Sequence, residues 1–324
     1  MYVVAIGASA ATTRNYFTVS GIRSDKIWLD GEMVAYDQAN VHVLTHSLHY
    51  GLGVFEGIRC YKTADGRSAL FRVAEHIRRM FDSSHIAEIE IPYNQRDLID
   101  ACVEVIRVNR LTECYIRPLV FLGEGEMGVS ARGNKVRVAI AAWPWGAYLG
   151  DESVKRGARL KTSSFSRFHH NSLMSQGKIT GHYVNSVLAG YEARRNGYDE
   201  ALMLDVDGFV AEGCGENVFV IRDGVVKAPP LTSSLPGITR DSVIRILADM
   251  GLFVIEQRFP RDAIYIADEV FMTGTAVEVT PVRELDDRSI GSTTPGPITT
   301  RVQETFHAAV QGRDPRYRSW LHYI

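Results

Sequence analysis

Lys178 is one of only seven lysines among 36 basic residues, and its setting is free of carboxylates: Ser175-Gln176-Gly177-Lys178-Ile179-Thr180-Gly181-His182-Tyr183. A lysine placed for solvation usually has charged neighbours. An amine kept for chemistry needs space and a lowered pKa, because its neutral form is the nucleophile that makes a Schiff base. Lys178 is therefore a candidate for covalent chemistry with an aldehyde cofactor. The plain alternative is an amphipathic surface lysine.

Three other stretches have residue types suited to such a site. Leu235-Pro236-Gly237-Ile238-Thr239-Arg240-Asp241 is a Pro-Gly turn entering a helix with Thr239 as its N-cap. Free N–H groups and the helix dipole make such an end an anion site. Met272-Thr273-Gly274-Thr275-Ala276 closes a strand with small residues that let backbone approach a ligand. Glu212-Gly213-Cys214-Gly215-Glu216 places two carboxylates in a glycine-rich bend, and a carboxylate buried there needs a cationic or protonated partner. Taken singly, each also reads as a capped helix, a turn or a solvated bend.

Two motifs are set aside. Gly123-Glu124-Gly125-Glu126-Met127-Gly128 spells GxGxxG, but it offers two glutamates to a pyrophosphate and leads into no helix, which excludes a dinucleotide site. His169-His170 lacks the i,i+4 partner of a metal-binding helix, and Cys60, Cys102, Cys114 and Cys214 are far apart, so no metal is expected.

Hydrophobic periodicity supplies the elements that must position these groups. Ile27-Trp28-Leu29 and Glu32-Met33-Val34 flank Asp30-Gly31 as a hairpin. Helical spacing falls over residues 74–87, 97–108, 184–196, 239–250 and 297–311, and strands over 115–121, 136–142, 159–163, 200–205, 217–221 and 269–272. The elements mix without strict alternation, which predicts an α/β fold of α+β character in two lobes, not a doubly wound sheet. The expected division is an N-terminal extension (1–25), a small α/β domain (26–144), a linker (145–155) and a larger C-terminal domain (156–324).

Composition narrows the class. With 324 residues, 45% apolar and 23% charged, the chain has material for two ordinary cores. A formal charge of −2 gives no reason to expect nucleic acid or an anionic membrane as partner. No apolar run is long enough for a membrane span and the start lacks a basic signal-peptide region, so a cytoplasmic protein with free thiols is expected.

Together the pieces resemble a class IV pyridoxal-phosphate-dependent aminotransferase of the branched-chain amino acid type, with fold type IV. The resemblance runs from about Ile27 to the last helix. It is carried by His49-Tyr50-Gly51 with Val54-Phe55-Glu56-Gly57-Ile58-Arg59, by Phe71 through Arg79, and by Tyr115-Ile116-Arg117-Pro118. Trp145-Gly146-Ala147-Tyr148, Lys178 through Tyr183, Glu212 through Phe219, Leu235 through Arg240 and Thr273 through Pro281 continue it.

The resemblance implies a role for each matching position. Lys178 would form the Schiff base with pyridoxal 5′-phosphate and shuttle the proton between the substrate α-carbon and the cofactor C4′. Glu212 would pair with the pyridine nitrogen, keeping the ring an electron sink, and Tyr183 would hydrogen-bond the ring's phenolic oxygen. Arg79, the backbone amides of Ile238 and Thr239, and Thr275 would hold the phosphate.

On the substrate side, the resemblance assigns the α-carboxylate to Tyr115 and the amides of Thr275 and Ala276. Phe55, Trp145, Tyr148 and Tyr183 would enclose a branched side chain, and Arg117 would meet the distal carboxylate of glutamate or 2-oxoglutarate. Tyr50 and the Met127-Gly128-Val129 loop would reach a neighbouring subunit's pocket, which implies at least a homodimer. The implied activity is ping-pong transamination of leucine, isoleucine or valine with 2-oxoglutarate.

The chain departs from the family pattern at two places: Met174-Ser175-Gln176-Gly177, where bacterial members usually show Pro-Thr-Ala-Ala, and Thr232-Ser233-Ser234-Leu235, which is one residue short. Alternatives are a relative acting on D-amino acids, (R)-amines or an unusual branched amino acid, and a non-catalytic binding protein. Arg117 with Tyr115, Trp145 and Tyr148 favours the L-type enzyme, and the set of Lys178, Glu212, Tyr183 and Arg79 argues against the binding protein.

Overall fold

Asp30 and Gly31 both take positive φ, 51° and 101°, the turn geometry that closes a two-residue hairpin. The hairpin joins β1 (Lys26–Leu29) to β2 (Glu32–Ala35). The computed structural model describes residues 24–130, 132–146 and 155–324. After the hairpin come α1 (His46–Tyr50), β3 (Gly53–Phe55), β4 (Ile58–Lys62) and β5 (Ser68–Phe71). Then follow α2 (Val73–Ile86), α3 (Gln95–Val108), β6 (Cys114–Leu122) and β7 (Val136–Trp143).

The long strand β6 organises this lobe. Along one side β7 pairs with it from Tyr115↔Trp143 to Leu122↔Val136. Along the other, β3 covers Leu119 to Phe121 and β4 covers Cys114 to Ile116. Pro118, which has no N–H to donate, stands where β3 ends and β4 begins. Its carbonyl accepts the N–H of Glu56 at 2.9 Å. The break at Glu56-Gly57 is thus written into the sequence of the neighbouring strand.

The second lobe runs through β8 (Ala158–Thr162), α4 (Tyr183–Arg195), β9 (Glu200–Leu204), β10 (Val210–Gly213), β11 (Asn217–Arg222) and β12 (Val225–Ala228). It continues with α5 (Ile238–Asp249), β13 (Val254–Glu256), α6 (Asp262–Tyr265), β14 (Glu269–Gly274), β15 (Glu278–Leu285), β16 (Arg288–Ser289), α7 (Pro297–Val310) and the closing strand β17 (Leu321–Tyr323). Among the described residues this sheet has nine strands in the order β10-β9-β8-β15-β14-β11-β12-β13, with β16 on β15. The chain end returns to the first lobe, where β17 pairs with β5 in a sheet of eight strands among the described residues.

Core residues match the periodicity. Ile77, Met80, Leu98 and Ile106 of α2 and α3 pack on Ile116 and Ile140 of the first sheet. A second cluster joins the lobes: Tyr61 and Phe71 of the first sheet meet Phe219, Phe271, α5 and α7. Phe219 and Phe271 stack at 4.9 Å. Among the described residues no helix is long and apolar enough to cross a membrane.

Helix starts differ from the periodicity in instructive ways. Asn94 and Asp97 form a reciprocal capping box, so α3 begins at Gln95, ahead of the apolar run. α5 begins at Ile238 with Gly237 as N-cap, and Thr239 lies inside the helix rather than capping it. Several short strands (β3, β4, β10, β12, β13) show no alternation of their own and are defined by the strands they pair with, β10 and β13 as the two ends of the second sheet.

Candidate active site

Lys178 is fixed by its backbone before its side chain does anything. Its N–H donates to Ser83 Oγ of α2 at 2.9 Å, and its carbonyl accepts the N–H of Phe55 at 3.2 Å. Ile179 bridges Val54, so the segment lies along β3. Thr180–His182 form a 3-10 turn that enters α4 at Tyr183, and this fold-back places Lys178 Nζ 2.7 Å from Tyr183 Oη. The amine also sits over the rings of Phe55 (4.9 Å) and Tyr183 (5.1 Å). Burial, with the charge of Arg79 nearby, lowers its pKa from 10.5 to about 8. It is an amine readily made neutral, as a Schiff-base nucleophile must be.

A cavity opens beside Lys178, with a cationic end and an acidic end. At the first, Arg79 projects from α2 with its Nη1 on the Pro236 carbonyl at 2.8 Å. Beside it are the first residues of α5, Ile238 and Thr239, and Thr275 from the turn after β14; all line the cavity. The first N–H groups of a helix have no intrahelical acceptor, and the glycine N-cap leaves them uncapped. With the helix dipole they make a seat for an anion.

Glu56, buried in the break between β3 and β4, holds Arg79 from the far side and also meets His76 Nδ1 at 2.7 Å. Burial alone would raise the Glu56 carboxyl, but Arg79 and His76 outweigh it and hold the group well below the usual carboxylate range.

At the acidic end is Glu212, 4% exposed on β10. One oxygen pairs with Arg167 Nη2 at 2.7 Å and the other accepts the Leu235 N–H at 3.2 Å. Burial raises its pKa and Arg167 opposes the rise. Glu216, the second carboxylate of the bend, is also buried, accepts the Gly215 N–H at 2.9 Å, and is pushed strongly toward its neutral form by burial and by Glu200. The bend therefore contains one carboxylate matched by a cation and one that burial and a neighbouring carboxylate push toward its neutral form.

Side chains of β6 adjoin the cavity across Phe55. Tyr115 and Arg117, two residues apart, share one face of the strand, and Arg117 Nη2 lies 3.4 Å from Tyr115 Oη. Arg117 stacks over Phe55 at 4.9 Å, Phe55 meets Tyr183 edge-on at 4.7 Å, and Trp145 meets Tyr115 edge-on at 4.5 Å. Gly57 makes room for this: a Cβ there would come within 1.8 Å of Tyr115 Oη. The Nε of Arg117 is buried without a hydrogen-bond partner among the described residues, as suits a guanidinium kept for a ligand carboxylate.

The fold thus brings together Lys178, Tyr183, Arg79, Glu212, Ile238, Thr239 and Thr275, with Phe55, Tyr115, Arg117 and Trp145 adjoining. Ala276 is half-buried in the turn beside Thr275. Tyr50 and Val129 do not line this cavity within one chain; they are 43% and 90% exposed on another surface. There His46 ties them, with its Nε2 on the Gly128 carbonyl at 2.9 Å and its ring against Tyr50 at 4.5 Å. Tyr148 lies outside the described residues.

Sequence reading missed the supporting groups. Glu56 lies inside a quoted motif, yet nothing local shows that it faces Arg79, 23 residues away. Arg167 is one arginine among 29. The two departures from the family pattern touch one another: Ser175 Oγ donates to the Thr232 carbonyl at 3.1 Å, and Gln176 Nε2 to the Leu231 carbonyl.

A lysine of lowered pKa, an anion seat on one side and a paired carboxylate on the other define a protein that holds an aldehyde cofactor with an anionic tail between two lobes. The family model for amino-transferase class IV matches residues 53–285, and the chain belongs to that family. The branched-chain-amino-acid aminotransferase of Pseudomonas aeruginosa is 49% identical over 92% of this chain and 97% of its own length. That of Escherichia coli is 46% identical over 92% and 97%. The structure of the T.th. branched-chain amino acid aminotransferase with pyridoxamine 5′-phosphate superposes with a TM-score of 0.90 at 50% identity, covering 94% of this chain and 99% of that one. The fold is that of the fold type IV aminotransferases.

Proposed function

We propose that the chain transfers amino groups between branched-chain L-amino acids and 2-oxoglutarate with pyridoxal 5′-phosphate, in a ping-pong exchange yielding 2-oxo acids and L-glutamate. One observation carries this reading: the readily neutralised amine of Lys178 lines one cavity with an anion seat and a buried Glu212. When bound, the cofactor supplies the electron sink that makes the substrate α-proton acidic.

The chain's own residues do the rest. Arg79, the Ile238 and Thr239 amides and Thr275 would hold the phosphate. Glu212 would meet the ring nitrogen, with Arg167 as its cationic partner. Tyr183 would hydrogen-bond the ring oxygen, and Lys178 would hold and return the proton at the substrate α-carbon. Tyr115 and the Thr275-Ala276 turn orient the α-carboxylate. Phe55, Trp145, Tyr148 and Tyr183 exclude water around an aliphatic side chain, and Arg117 receives the second carboxylate of the dicarboxylic partner.

The proposal includes two subunits sharing their sites through Tyr50 and Val129. Val184, Val187, Leu188 and Tyr191 support it: they stand exposed on α4 at i, i+3, i+4 and i+7, an apolar stripe that needs a cover. We further assign residues 26–144 and 156–324 as the two domains, joined through 145–155, and a cytoplasmic setting that suits four free thiols.

The test is a spectrophotometric half-reaction on yellow, purified protein with a panel of L- and D-amino acids. Bleaching of the cofactor band by L-leucine, L-isoleucine, L-valine and L-glutamate is expected, with borohydride fixing the chromophore on Lys178 and Lys178→Ala abolishing turnover. A response to D-amino acids alone would overturn the substrate assignment, and a chain that takes up no cofactor would overturn the whole.

A further inference from the structure

We propose that Arg72 is a positioning residue for the cofactor phosphate, acting from behind α5 through the peptide bond between Ile238 and Thr239. The inference rests on the cofactor reading above. Arg72 is 5% exposed and holds a left-handed backbone, φ 50° and ψ 38°, just ahead of α2. For a residue with a Cβ that conformation is costly and persists when the surroundings impose it. Here the Trp320 carbonyl takes its N–H at 2.7 Å, and its guanidinium lies over the Trp320 ring at 5.6 Å.

From that anchor the side chain crosses into the other lobe. Its Nη1 donates to the Ile238 carbonyl at 3.2 Å, to Ser242 Oγ at 2.8 Å and to Asp241 at 2.6 Å, while its Nε meets Glu75 at 2.8 Å. Ser242 Oγ donates to the same Ile238 carbonyl at 2.9 Å. That carbonyl and the N–H of Thr239 belong to one amide. Drawing electron density onto the oxygen makes the N–H a stronger donor, as happens along any chain of hydrogen bonds. The Thr239 N–H is one of the free donors at the start of α5.

The charge balance favours such a device. Arg79, the cation that faces the anion seat directly, is bound to Glu56 and partly neutralised by it. The counter-charges of Arg72, Glu75 and Asp241, are 41% and 45% exposed and screened by solvent, and Asp241 is shared with Arg245 at 3.1 Å. Arg72 itself is buried. It presents positive charge to the Ile238 carbonyl without occupying the cavity.

The experiment compares two ligands on the full chain after its cofactor has been removed: pyridoxal 5′-phosphate, and pyridoxal, which has the same ring and aldehyde but no phosphate. Arg72→Met is expected to raise the Kd for pyridoxal 5′-phosphate by about tenfold or more and leave that for pyridoxal within about twofold. Ser242→Ala and Arg72→Lys should shift the same ratio less, in the same direction. Equal weakening of both ligands, or of neither, would show a merely structural part for Arg72 and overturn the inference. If Arg72→Met does not fold, the same ratio measured on Arg72→Lys and Ser242→Ala decides. Failure of the wild-type chain to bind pyridoxal 5′-phosphate at Lys178 would instead refute the cofactor reading itself, and the inference with it.

Discussion

Glu56 grips Arg79 with both carboxylate oxygens, Nε to Oε1 at 2.6 Å and Nη2 to Oε2 at 2.9 Å, inside the break that Pro118 enforces between two strands. The cation of the anion seat is therefore aimed by the architecture of the first sheet. Glu56→Gln keeps the shape and removes the charge. It should destabilise the chain by about 3–5 kcal/mol, the usual effect of breaking a buried pair, read as a lowered urea midpoint. The sign of its pH dependence is fixed: a carboxyl held below its unfolded pKa contributes stability above the ordinary carboxylate range and loses it in acid. Glu56→Gln should accordingly lose less stability on acidification than the wild type; an unchanged acid slope would contradict this.

Lys178 should react as an amine of pKa about 8. In the cofactor-free chain, its rate of modification by a neutral acylating reagent, followed by mass spectrometry, should rise with a midpoint near 8 instead of 10.5. Arg79→Met should move that midpoint upward by removing a neighbouring cation. Because the folded pKa lies below the unfolded one, this group makes stability rise with pH across the interval from about 8 to 10.5. A midpoint at the ordinary lysine value would refute the assignment of Lys178 as a ready nucleophile.

Arg167→Met leaves Glu212 buried without its cation. Glu212 should then favour its neutral form, and the cofactor-free chain should lose about 3 kcal/mol or more of stability. The further expectation is a large fall in kcat with a smaller change in KM, since a neutral Glu212 no longer holds a proton on the ring nitrogen. Wild-type kcat in this variant would show that Arg167 does not support Glu212.

Gly57→Ala directs a methyl group into the space of Tyr115 Oη. Overpacking of this kind costs about 1–3 kcal/mol and here should displace a substrate-facing ring. KM for amino acids is expected to rise while the affinity for pyridoxal 5′-phosphate holds. Arg117→Ala should raise KM for glutamate and 2-oxoglutarate far more than for leucine, because it leaves one carboxylate without its guanidinium. Equal losses for both substrates would end the two-substrate role of Arg117.

Much of this site was legible along the chain. Lys178 stood out through small, uncharged neighbours, the start of α5 through a Pro-Gly turn, and Glu212 through the glycines around it. The supports were not legible, for a common physical reason. Ser83, Glu56 and Arg167 act on groups distant in sequence, and nothing in their own surroundings marks them out. The short strands are of the same kind, being defined by the strands they pair with.

The amino-acid sequence by itself determined the residue types of the chemistry, the helices and long strands with their own periodicity, and the family through motifs in order. Tertiary structure decided what charge and direction those residues have. Burial beside Arg79 lowers the amine of Lys178, and Pro118 opens the gap through which Glu56 reaches Arg79. Arg167 arrives against Glu212 from another segment. Local patterns encode the backbone's hydrogen-bonding period, but pKa and aim depend on desolvation and on neighbours that meet only when the sheets and helices have packed.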